Sequence, residues 1–393
     1  MKLRPSLAHI AFYADEFRTL QAKFRSGELH PDRVRLEREP TNLRDLPEQD
    51  RDRFLHNLSD LSQSKRDQLN EQGRTALREG RVAAIVLNGG MATRFGGQPK
   101  GIVPLIPSSD HTFISLKLAQ FRSLGVAIEG AFPITIMHSF ATQLASEKYL
   151  KEINWMGILA EYRLEFLQSV LPRILEDGTP LVEHADSQLL PDTEVYCAPG
   201  HGDTLRMLRD SGTLDKLQSM GVHHLLVSNV DNLGATIDPI VLGAHLEACE
   251  RGAELSVEIV DRRSGDMGGC VAVHEGKPVI LEGFRLPKST DLSRFSEFNT
   301  NTLWFSLPAL QHPIELDWFP VRRSLTCSDG QSRTIVQFEQ LIGQASERLS
   351  SHYIRVDRSQ RFLPIKTRQD LCDAAPDMKQ RIQSLLPTLR TVH

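Results

Sequence analysis

The turn after the first strongly apolar run of the chain combines exposed backbone with positive charge. It reads VLNGGMATRFGGQPKG, residues 86–101. Glycines let a ligand approach the backbone closely, and free amides between a strand end and a helix start attract anions. Arg94 and Lys100 add two full positive charges to the same turn. The chemistry of this stretch therefore suits a chain of phosphate groups.

Two common phosphate-binding motifs do not account for this turn. The pattern GxxxxGK[ST] requires a lysine after Gly101, where the chain has Ile102. The pattern GxGxxG fails because Gly89 and Gly90 are adjacent. On composition alone, the alternative is a surface turn that binds nothing.

A second candidate group follows the apolar segment HLLVSNV, residues 224–230. A carboxylate at the carboxyl end of a buried strand lies where α/β sheets bind ligands, and Asp231 occupies that place. Its oxygens, with phosphate oxygens and water, suit Mg²⁺, and the amide of Asn229 suits sugar hydroxyls. The alternative for Asp231 is a helix N-cap or a turn. The adjacent His223 and His224 point to opposite faces of a strand, so we expect no metal shared by this pair.

Strand-like and helix-like segments alternate through the middle of the chain. The segment VAAIVLN, residues 82–88, has the β-branched character of a central strand, and a helix-like segment closed by Gly125 follows the glycine turn. Further strands are predicted in PITIMHS, RLEFLQ, VHHLLVSNV and AELSVEIV, with helices between them. This order predicts an α/β fold with a mixed, mostly parallel sheet flanked by helices.

The organisation of the chain predicts three parts. Residues 1–80 are polar, and the spacing of Phe54, Leu58 and Leu61 is typical of a helix that Gly80 would end. We expect a helical N-terminal segment over 1–80, a catalytic domain over 81–375 and a short helical C-terminal tail over 376–393.

Composition excludes several classes of protein. The 393 residues carry a net charge of −4, which implies no basic field for nucleic acid or membrane. The apolar runs are too short to span a bilayer, and the N-terminus lacks the apolar stretch of a signal peptide. Five cysteines without a CxxC pair favour free thiols in a reducing, cytoplasmic location.

The glycine turn resembles the signature of nucleotide-sugar pyrophosphorylases, which has the form LxGGxxTRxGxxxPK. More specifically, the chain resembles the UTP:sugar-1-phosphate uridylyltransferases typified by UDP-glucose pyrophosphorylase. Further motifs follow in the order of that family. They are EFLQSVLPRI (165–174), APGHGD (198–203), LLVSNVDNLGATIDP (225–239), GDMGGCVAV (265–273), FNTNTLWF (298–305), TIVQFEQLIGQA (334–345) and RFLPIKTRQDL (361–371).

The resemblance implies a nucleotidyltransferase fold of the GT-A or Rossmann-like kind and a role for each matching residue. Nucleotide contacts are assigned to Leu87, Asn88, Gly89, Gly90, Lys100, Gln168, Gly200 and Asn229. Sugar-phosphate contacts are assigned to His201, Asn229, Gly269, Glu282, Asn301 and Lys366. Lys100, Lys366 and Arg94 are the implied catalytic cations, and Asp231 is the implied ligand of Mg²⁺. Gln168 is the residue that the resemblance assigns to reading uracil.

The implied reaction joins UTP and a sugar 1-phosphate into a UDP-sugar and pyrophosphate. We expect glucose 1-phosphate as the sugar substrate. The motifs SNVDNLGAT and FNTNTLWF favour glucose, whereas the pair Thr93–Arg94 favours N-acetylglucosamine or a broad range of sugars. An alternative of another class is a catalytically silent protein that binds nucleotide sugars. Small-molecule substrates, no nucleic acid and no membrane are the expected partners.

One departure from the family concerns the C-terminus. Eukaryotic relatives carry a C-terminal β-helix domain that is often used in oligomerisation. The segment after RFLPIKTRQDL is too short for that domain. We therefore expect a monomer or a small homo-oligomer.

Overall fold

The structure is a computed structural model that describes residues 3–92, 97–105, 111–266, 268–365 and 367–390. The α-helices are α1 (Ala14–Arg25), α2 (Glu48–Asp52), α3 (Gln63–Arg78), α4 (Phe113–Ile128), α5 (Gln143–Glu152), α6 (Asp192–Val195), α7 (Thr204–Asp210), α8 (Thr213–Ser219), α9 (Pro239–Glu250), α10 (Ala345–Arg348), α11 (Arg358–Arg361) and α12 (Arg368–Arg390). The strands are β1 (Thr41–Asn42), β2 (Leu55–Asn57), β3 (Val82–Asn88), β4 (Met91–Ala92), β5 (Gln98–Pro99), β6 (Ile134–His138), β7 (Arg163–Leu167), β8 (Leu171–Pro172), β9 (Ile174–Leu175), β10 (Tyr196–Cys197), β11 (His224–Asn229), β12 (Leu255–Asp261), β13 (Cys270–His274), β14 (Lys277–Leu281), β15 (Glu297–Ser306), β16 (Phe319–Thr326), β17 (Ser332–Glu339) and β18 (Ser351–Arg355).

One large sheet organises the molecule. Its main path runs β2-β18-β12-β15-β11-β3-β6-β7. Neighbours along this path are parallel except at β15, which is antiparallel to both β12 and β11. The hairpin β13–β14 and the short β1 extend the sheet beside β15. The predicted mixed, mostly parallel sheet is confirmed.

The central strand β3 is buried on both faces. Val82, Ala84 and Val86 pack into one apolar core, and Ala83 and Ile85 pack into another. Successive side chains of a strand point to opposite faces, so the two cores lie on the two sides of the sheet. This burial explains why the sequence VAAIVLN shows a continuous apolar run and no alternation with polar residues.

The order of the strands creates a crevice next to β3. From β3 the chain crosses through α4 to β6 on one side, while β11 lies on the other side. The carboxyl ends of β3 and β11 are level, since Leu87 pairs with Asn229. Ligands of open α/β sheets bind at such a point, where crossovers leave in opposite directions.

A smaller sheet stands over this crevice. It has the order β16-β17-β9. The short strands β8 and β10 pair with each other, and β9 lies between them in the sequence. Phe17, Leu20 and Phe24 of α1 pack against Val336 and Phe338 of β17. The N-terminal segment therefore supports the smaller sheet from behind.

The first 80 residues are less helical than the sequence predicts. Residues around Phe54, Leu58 and Leu61 form β2 and a short 3-10 turn, and α3 starts only after Ser62. The side chain of Ser62 accepts a hydrogen bond from the amide of Lys65, which caps the helix there. β1 pairs with β13 and β2 pairs with β18, so this segment forms part of the main sheet.

One helix end differs from the expectation. α4 continues through Gly125 and ends where Glu129 adopts a left-handed conformation, with φ of 55°. Gly125 instead allows close approach of the chain, since a Cβ there would lie 2.9 Å from the carbonyl oxygen of Gly130. α12 runs without a break through the predicted boundary at 375.

None of the helices in the described ranges is long and apolar enough to cross a membrane.

Candidate active site

Two adjoining cavities open at the carboxyl ends of β3 and β11. The larger has a volume of about 800 Å³ and the smaller about 180 Å³. His201, Asn229 and Asp231 line both of them. The site therefore has two compartments that meet at one carboxylate, one amide and one imidazole.

The predicted nucleotide and sugar residues separate between these compartments. The larger cavity is lined by the predicted nucleotide residues Leu87, Gly89, Gly90, Lys100, Gln168, Gly200 and Asn229. The smaller cavity is lined by the predicted sugar-phosphate residues His201, Asn229, Gly269, Glu282 and Asn301. Segments that are distant in the sequence thus lie together around the two cavities.

Asn88 does not lie in either cavity. Its side chain is fully buried, donates to the hydroxyl of Ser146 at 2.9 Å and lies 3.2 Å from the Nδ1 atom of His138. Leu87 and Asn88 are neighbours in a strand, so when one faces the cavity the other faces the interior. The Asn88 side chain therefore holds β3 to its neighbours from the interior, and the predicted nucleotide contact of this residue stays a prediction.

Arg94 and Lys366 lie outside the described residues, so their predicted roles stay predictions. The chain on either side of both positions is described. The amide of Lys100 donates to the carbonyl of Gly90 at 3.0 Å, next to the pairing of β4 with β5. The amide of Ile365 donates to the carbonyl of Asp231 at 3.2 Å.

Gln168 connects the two glycine segments of the larger cavity. Its amide nitrogen donates to the carbonyl of Gly200 at 2.7 Å, and its carbonyl oxygen lies so close to Gly89 that a Cβ there would overlap it. Gly200 has φ of 83°, and a Cβ on it would lie 2.6 Å from the carbonyl oxygen of Gln340. Glycine is required at position 200 because its φ is positive and backbone lies against it, whereas a side chain at position 89 would displace the amide of Gln168.

Lys100 and Asp231 form an ion pair at the junction of the two cavities. Both side chains are largely buried, with 18% and 14% of their surface exposed. Charges that are removed from water at this depth attract each other and any bound ion more strongly than charges at the surface do. The pair therefore offers a cation and an oxygen ligand side by side.

A buried lysine that the sequence analysis did not select lies under this pair. Lys117 of α4 is fully buried, and its ammonium donates to the carbonyls of Asn229 at 3.1 Å and Asn232 at 2.7 Å. Burial lowers the pKa of Lys117 to about 7, and the negative charge of Asp231 acts in the opposite direction. Its signal in the sequence was a lysine inside the apolar stretch FISLKLAQF.

Asn232 joins the loop of Asp231 to the C-terminal segment. Its side chain donates to the carbonyl of Arg361 at 3.2 Å and accepts from the amide of Leu363 at 2.9 Å. Arg361 is itself held by a buried ion pair with Glu258. The loop that carries Asp231 is therefore fixed from two sides, by α4 and by the segment after β18.

A bulge in β15 aims Asn301 into the smaller cavity. The register with β12 shifts so that Glu258 pairs with Thr302 and Ile259 pairs with Asn299, which leaves Thr300 and Asn301 without a partner in the ladder. Asn301 has φ of 56°, an uncommon conformation for a residue with a side chain. Irregularities of this kind often redirect a side chain at a site.

The side chain of Asn301 then reaches across to β11. Its amide nitrogen donates to the side-chain oxygen of Asn229 at 3.1 Å. On the opposite wall, a Cβ on Gly269 would lie 2.9 Å from a carboxylate oxygen of Glu282. Two amides and one carboxylate therefore surround a space of a size that suits a sugar ring.

His201 is a neutral imidazole at the boundary of the cavities. Its Nδ1 atom accepts a hydrogen bond from the amide of Ile342 at 3.0 Å. Burial lowers the pKa of His201 to about 4, so the ring is neutral near pH 7 and its proton is on Nε2. The ring can therefore donate a hydrogen bond to an oxygen of a ligand, but it does not bring a positive charge.

The mostly parallel sheet, with a glycine turn, a lysine and an aspartate at its switch point, places the chain in the class of α/β proteins that bind ligands at the carboxyl ends of their strands. Within this class, the family model described as UTP–glucose-1-phosphate uridylyltransferase matches residues 39–384, and the chain belongs to that family. It is 33% identical over 312 residues to the UTP–glucose-1-phosphate uridylyltransferase of Saccharomyces cerevisiae, covering 76% of this chain and 60% of that protein. The corresponding values for the probable enzyme of Schizosaccharomyces pombe are 31% over 314 residues, 76% and 59%. The chain thus spans about 60% of the length of these curated relatives.

Solved structures show the same fold. A UDP-glucose phosphorylase from Trypanosoma brucei superposes with a TM-score of 0.75 at 25% identity, over 92% of this chain and 75% of that one. A UDP-glucose pyrophosphorylase mutant from Leishmania major in complex with UDP-glucose gives 0.67 at 25% identity, over 94% and 75%. The similarity to a putative UDP-N-acetylglucosamine pyrophosphorylase from Entamoeba histolytica, at 18% identity and a TM-score of 0.66 over 77% and 80% of the two chains, concerns the fold alone.

Proposed function

We propose that the protein transfers uridylyl from UTP to glucose 1-phosphate and forms UDP-glucose and pyrophosphate. The observation that carries this proposal is the junction of a larger and a smaller cavity at Asp231, with Lys100 beside it. The larger cavity has the size and backbone lining for a nucleotide, and the smaller one has the amides and carboxylate for a sugar. The activity named for the relatives supports the same assignment.

The proposed chemistry is attack of a phosphate oxygen of the sugar 1-phosphate on the α-phosphorus of UTP. The new P–O bond forms as the bond to the β-phosphate breaks, and pyrophosphate leaves. The attacking phosphate is already an anion near pH 7, so no general base is needed. The obstacle is the repulsion between two polyanions, and positioning with neutralisation of charge is the means of lowering it.

Each residue at the junction would have a separate role in this reaction. Lys100 neutralises phosphate charge next to the glycine turn, and the Nε2 proton of His201 orients an oxygen of the sugar phosphate. Asn301, Asn229 and Glu282 bind hydroxyl groups of the sugar. Lys366 and Arg94 stay predictions as two further cations.

Mg²⁺ is the proposed cofactor, and the residues present fit it. Asp231 presents a carboxylate to both cavities, and carboxylate oxygen is a ligand that Mg²⁺ prefers. One carboxylate completed by phosphate oxygens and water is a common arrangement for Mg²⁺. When bound, the ion would supply further neutralisation of the phosphate charges.

An assay of pyrophosphate release tests the activity. The purified protein is supplied with Mg²⁺, each nucleoside triphosphate in turn, and glucose, galactose or N-acetylglucosamine 1-phosphate. We expect the highest kcat/KM for UTP with glucose 1-phosphate. Similar rates with all the sugars would indicate a broad UDP-sugar enzyme, and nucleotide-sugar binding without turnover would indicate a silent binding protein.

Asp231→Asn in the same assay tests the site. We expect kcat to fall by about 100-fold or more, because the neutral amide no longer holds the ion. Asp215→Asn, at an exposed position of α8, is the matched control and should keep normal turnover. Normal turnover of a folded Asp231→Asn variant would remove this carboxylate from the mechanism.

Two predictions about the whole protein stay proposals. We infer a cytoplasmic location from the odd number of cysteines, all of which are free thiols. A monomer or a small homo-oligomer is expected in solution, and size-exclusion chromatography with light scattering measures it.

A further inference from the structure

A cluster of two histidines and one cysteine lies far from the cavities, at the other end of β11. His224 is the first residue of β11, roughly 17 Å along the strand from Asn229. His245 and Cys249 lie one turn apart on α9, and His245 is fully buried. The ligand atoms of the three residues all lie within 4.8 Å of one another.

Two of the spacings within this cluster are close to those of tetrahedral coordination. The Nδ1 atom of His224 lies 3.2 Å from the Nε2 atom of His245, and the sulfur of Cys249 lies 3.5 Å from that same Nε2 atom. A zinc ion bonded to nitrogen and sulfur at ordinary lengths separates two nitrogens by roughly 3.3 Å and a nitrogen from a sulfur by roughly 3.6 Å. The sulfur of Cys249 also lies 3.8 Å from the Nδ1 atom of His245, so a single ion could contact all three atoms only after a rotation of the Cys249 or His245 side chain.

The protonation of the cluster also suits a metal. The Nδ1 atom of His245 lies 2.8 Å from the hydroxyl of Ser256, and when that nitrogen carries the ring proton, Nε2 keeps a free electron pair. A bound ion would displace the proton of the Cys249 thiol, because the thiolate is the form that binds metal.

The cluster is open on one side. His224 and Cys249 line a cavity of about 650 Å³ between α3 and α9. Glu71 of α3 and Glu250 of α9 line the same cavity. A water molecule or an exogenous ligand can therefore complete the coordination of an ion.

We propose that His224, His245 and Cys249 form a binding site for a borderline-soft divalent transition-metal ion of the Zn²⁺ type. Nitrogen and sulfur donors select this class of ion over Mg²⁺, which prefers oxygen. The ion would tie the start of β11 to the last turns of α9, and so stabilise the strand and helix that flank the loop of Asp231. The proposal does not depend on the proposed catalytic activity.

Titration with Co²⁺ tests this site directly. The full-length protein is freed of metal with a chelator, kept reduced with a phosphine and titrated without Mg²⁺. We expect one equivalent to produce the visible bands of tetrahedral Co²⁺ and a sulfur-to-cobalt charge-transfer band, both removed by Zn²⁺. The midpoint of thermal unfolding should rise with the Zn²⁺ concentration, because the ion binds the folded state.

Matched variants separate this site from other thiols and imidazoles. Cys249→Ser should abolish the charge-transfer band and His224→Gln should abolish the tetrahedral spectrum, whereas Cys372→Ser and His223→Gln, at exposed positions, should leave both unchanged. Ser256→Ala should weaken Co²⁺ binding by about tenfold.

Two results would overturn the proposal. One is a titration of the reduced protein without a charge-transfer band, which would leave the cluster as a hydrogen-bonded histidine pair. The other is a band that persists in Cys249→Ser. If that variant does not fold, alkylation of the native protein decides: Zn²⁺ must slow modification of Cys249 but not of Cys372, and equal rates with and without Zn²⁺ reject the site.

Discussion

At the scale of single residues, the burial of Lys117 carries a free-energy cost that a methionine at this position would avoid. An ammonium loses its hydration in the interior, and two backbone carbonyls replace only part of it. The compensation lies in the position of these carbonyls, on either side of Asp231. We therefore interpret Lys117 as a positioning residue that orders the loop from Asn229 to Asn232.

Replacement by an apolar side chain of similar length tests this interpretation. Lys117→Met should lower kcat by about tenfold, because the loop of Asp231 loses two hydrogen bonds. The free energy of unfolding should stay similar or increase, since a desolvated charge is removed. Steady-state kinetics and urea denaturation measure the two effects, and a variant with lower stability and normal kcat would make the residue merely structural.

The pKa of Lys117 adds a signature in the pH dependence of stability. Burial holds this pKa at about 7, below the ordinary 10.5, so between these values the unfolded chain binds a proton that the folded chain has released. Lys117 therefore contributes stability that is present above pH 10.5 and is lost as the pH falls through 7. This contribution should be missing in Lys117→Met.

Gln168 lines only the larger cavity and Asn301 only the smaller one, so substitutions of the two residues test the two compartments separately. Gln168→Ala should raise the KM for UTP by about tenfold and leave the KM for glucose 1-phosphate nearly unchanged, since it removes an amide from the larger cavity only. Asn301→Ala should raise the KM for glucose 1-phosphate by about tenfold and leave the KM for UTP nearly unchanged. Equal effects on both substrates in either variant would contradict the division into nucleotide and sugar compartments.

At the scale of secondary-structure elements, α3 and α9 cross so closely that their backbones are in contact. A Cβ on Gly73 of α3 would overlap the carbonyl oxygen of Pro239, and a Cβ on Gly243 of α9 would overlap that of Leu69. The two glycines are therefore required by reciprocal packing, although glycine is unfavourable inside a helix. This crossing fixes the helix that follows the loop of Asp231.

Gly73→Ala tests the crossing. The methyl group should lower the free energy of unfolding by about 1–3 kcal/mol, even though alanine favours the helix, because the helices must separate. Urea denaturation measures the change. Ser64→Ala, at an exposed position of α3, should change stability by less than about 0.5 kcal/mol. A Gly73→Ala variant as stable as the parent would show that the helices move apart without cost.

At the scale of the whole molecule, buried neutral histidines make the fold sensitive to acid. Burial lowers the pKa of His352 to about 3 and holds that of His245 well below 6.5. The unfolded chain takes up protons at these rings below pH 6.5, whereas the folded chain does not. Their contribution to stability is therefore present above pH 6.5 and is lost as the pH falls, at about 1.4 kcal/mol per pH unit for each ring.

One buried carboxyl opposes this effect. Burial raises the pKa of Asp203 to about 6, above its ordinary value of 3.8. Between these pH values the folded chain therefore binds a proton at Asp203 that the unfolded chain does not bind. The two histidines outweigh it, and the free energy of unfolding of the metal-free protein should decrease from pH 6.5 to 4.5. His352→Phe should flatten the decrease, and His312→Gln, at an exposed position, should not. Urea titrations at several pH values measure both slopes.

Much of the site could be predicted because its groups occur in short motifs. A buried strand followed by glycines and a lysine, or by an aspartate, is local in the chain, and these motifs place Lys100 and Asp231 at strand ends. The motif at the end of β3 does not indicate which side chain faces the cavity, because adjacent strand residues face opposite ways. The bulge that aims Asn301 depends on pairing with β12, which no local pattern records.

The N-terminal segment shows the same limit for the fold. The spacing of Phe54, Leu58 and Leu61 is that of a helix, but β18 offers an edge with which β2 pairs. Hydrogen bonds to a remote strand outweighed the local preference, which is small for each residue. The continuous apolar segment of β3, in contrast, had few alternatives to a central strand.

The sequence by itself determined the class of fold and the kinds of groups that meet the ligand, because both follow from patterns within a few residues. The tertiary structure decided which of these groups meet. It placed Lys117 beneath Asp231, made Asn232 a link to the C-terminal segment and brought His224 next to His245 and Cys249. These contacts join residues distant in the sequence, and they form only when the sheet order and the helix crossings are set.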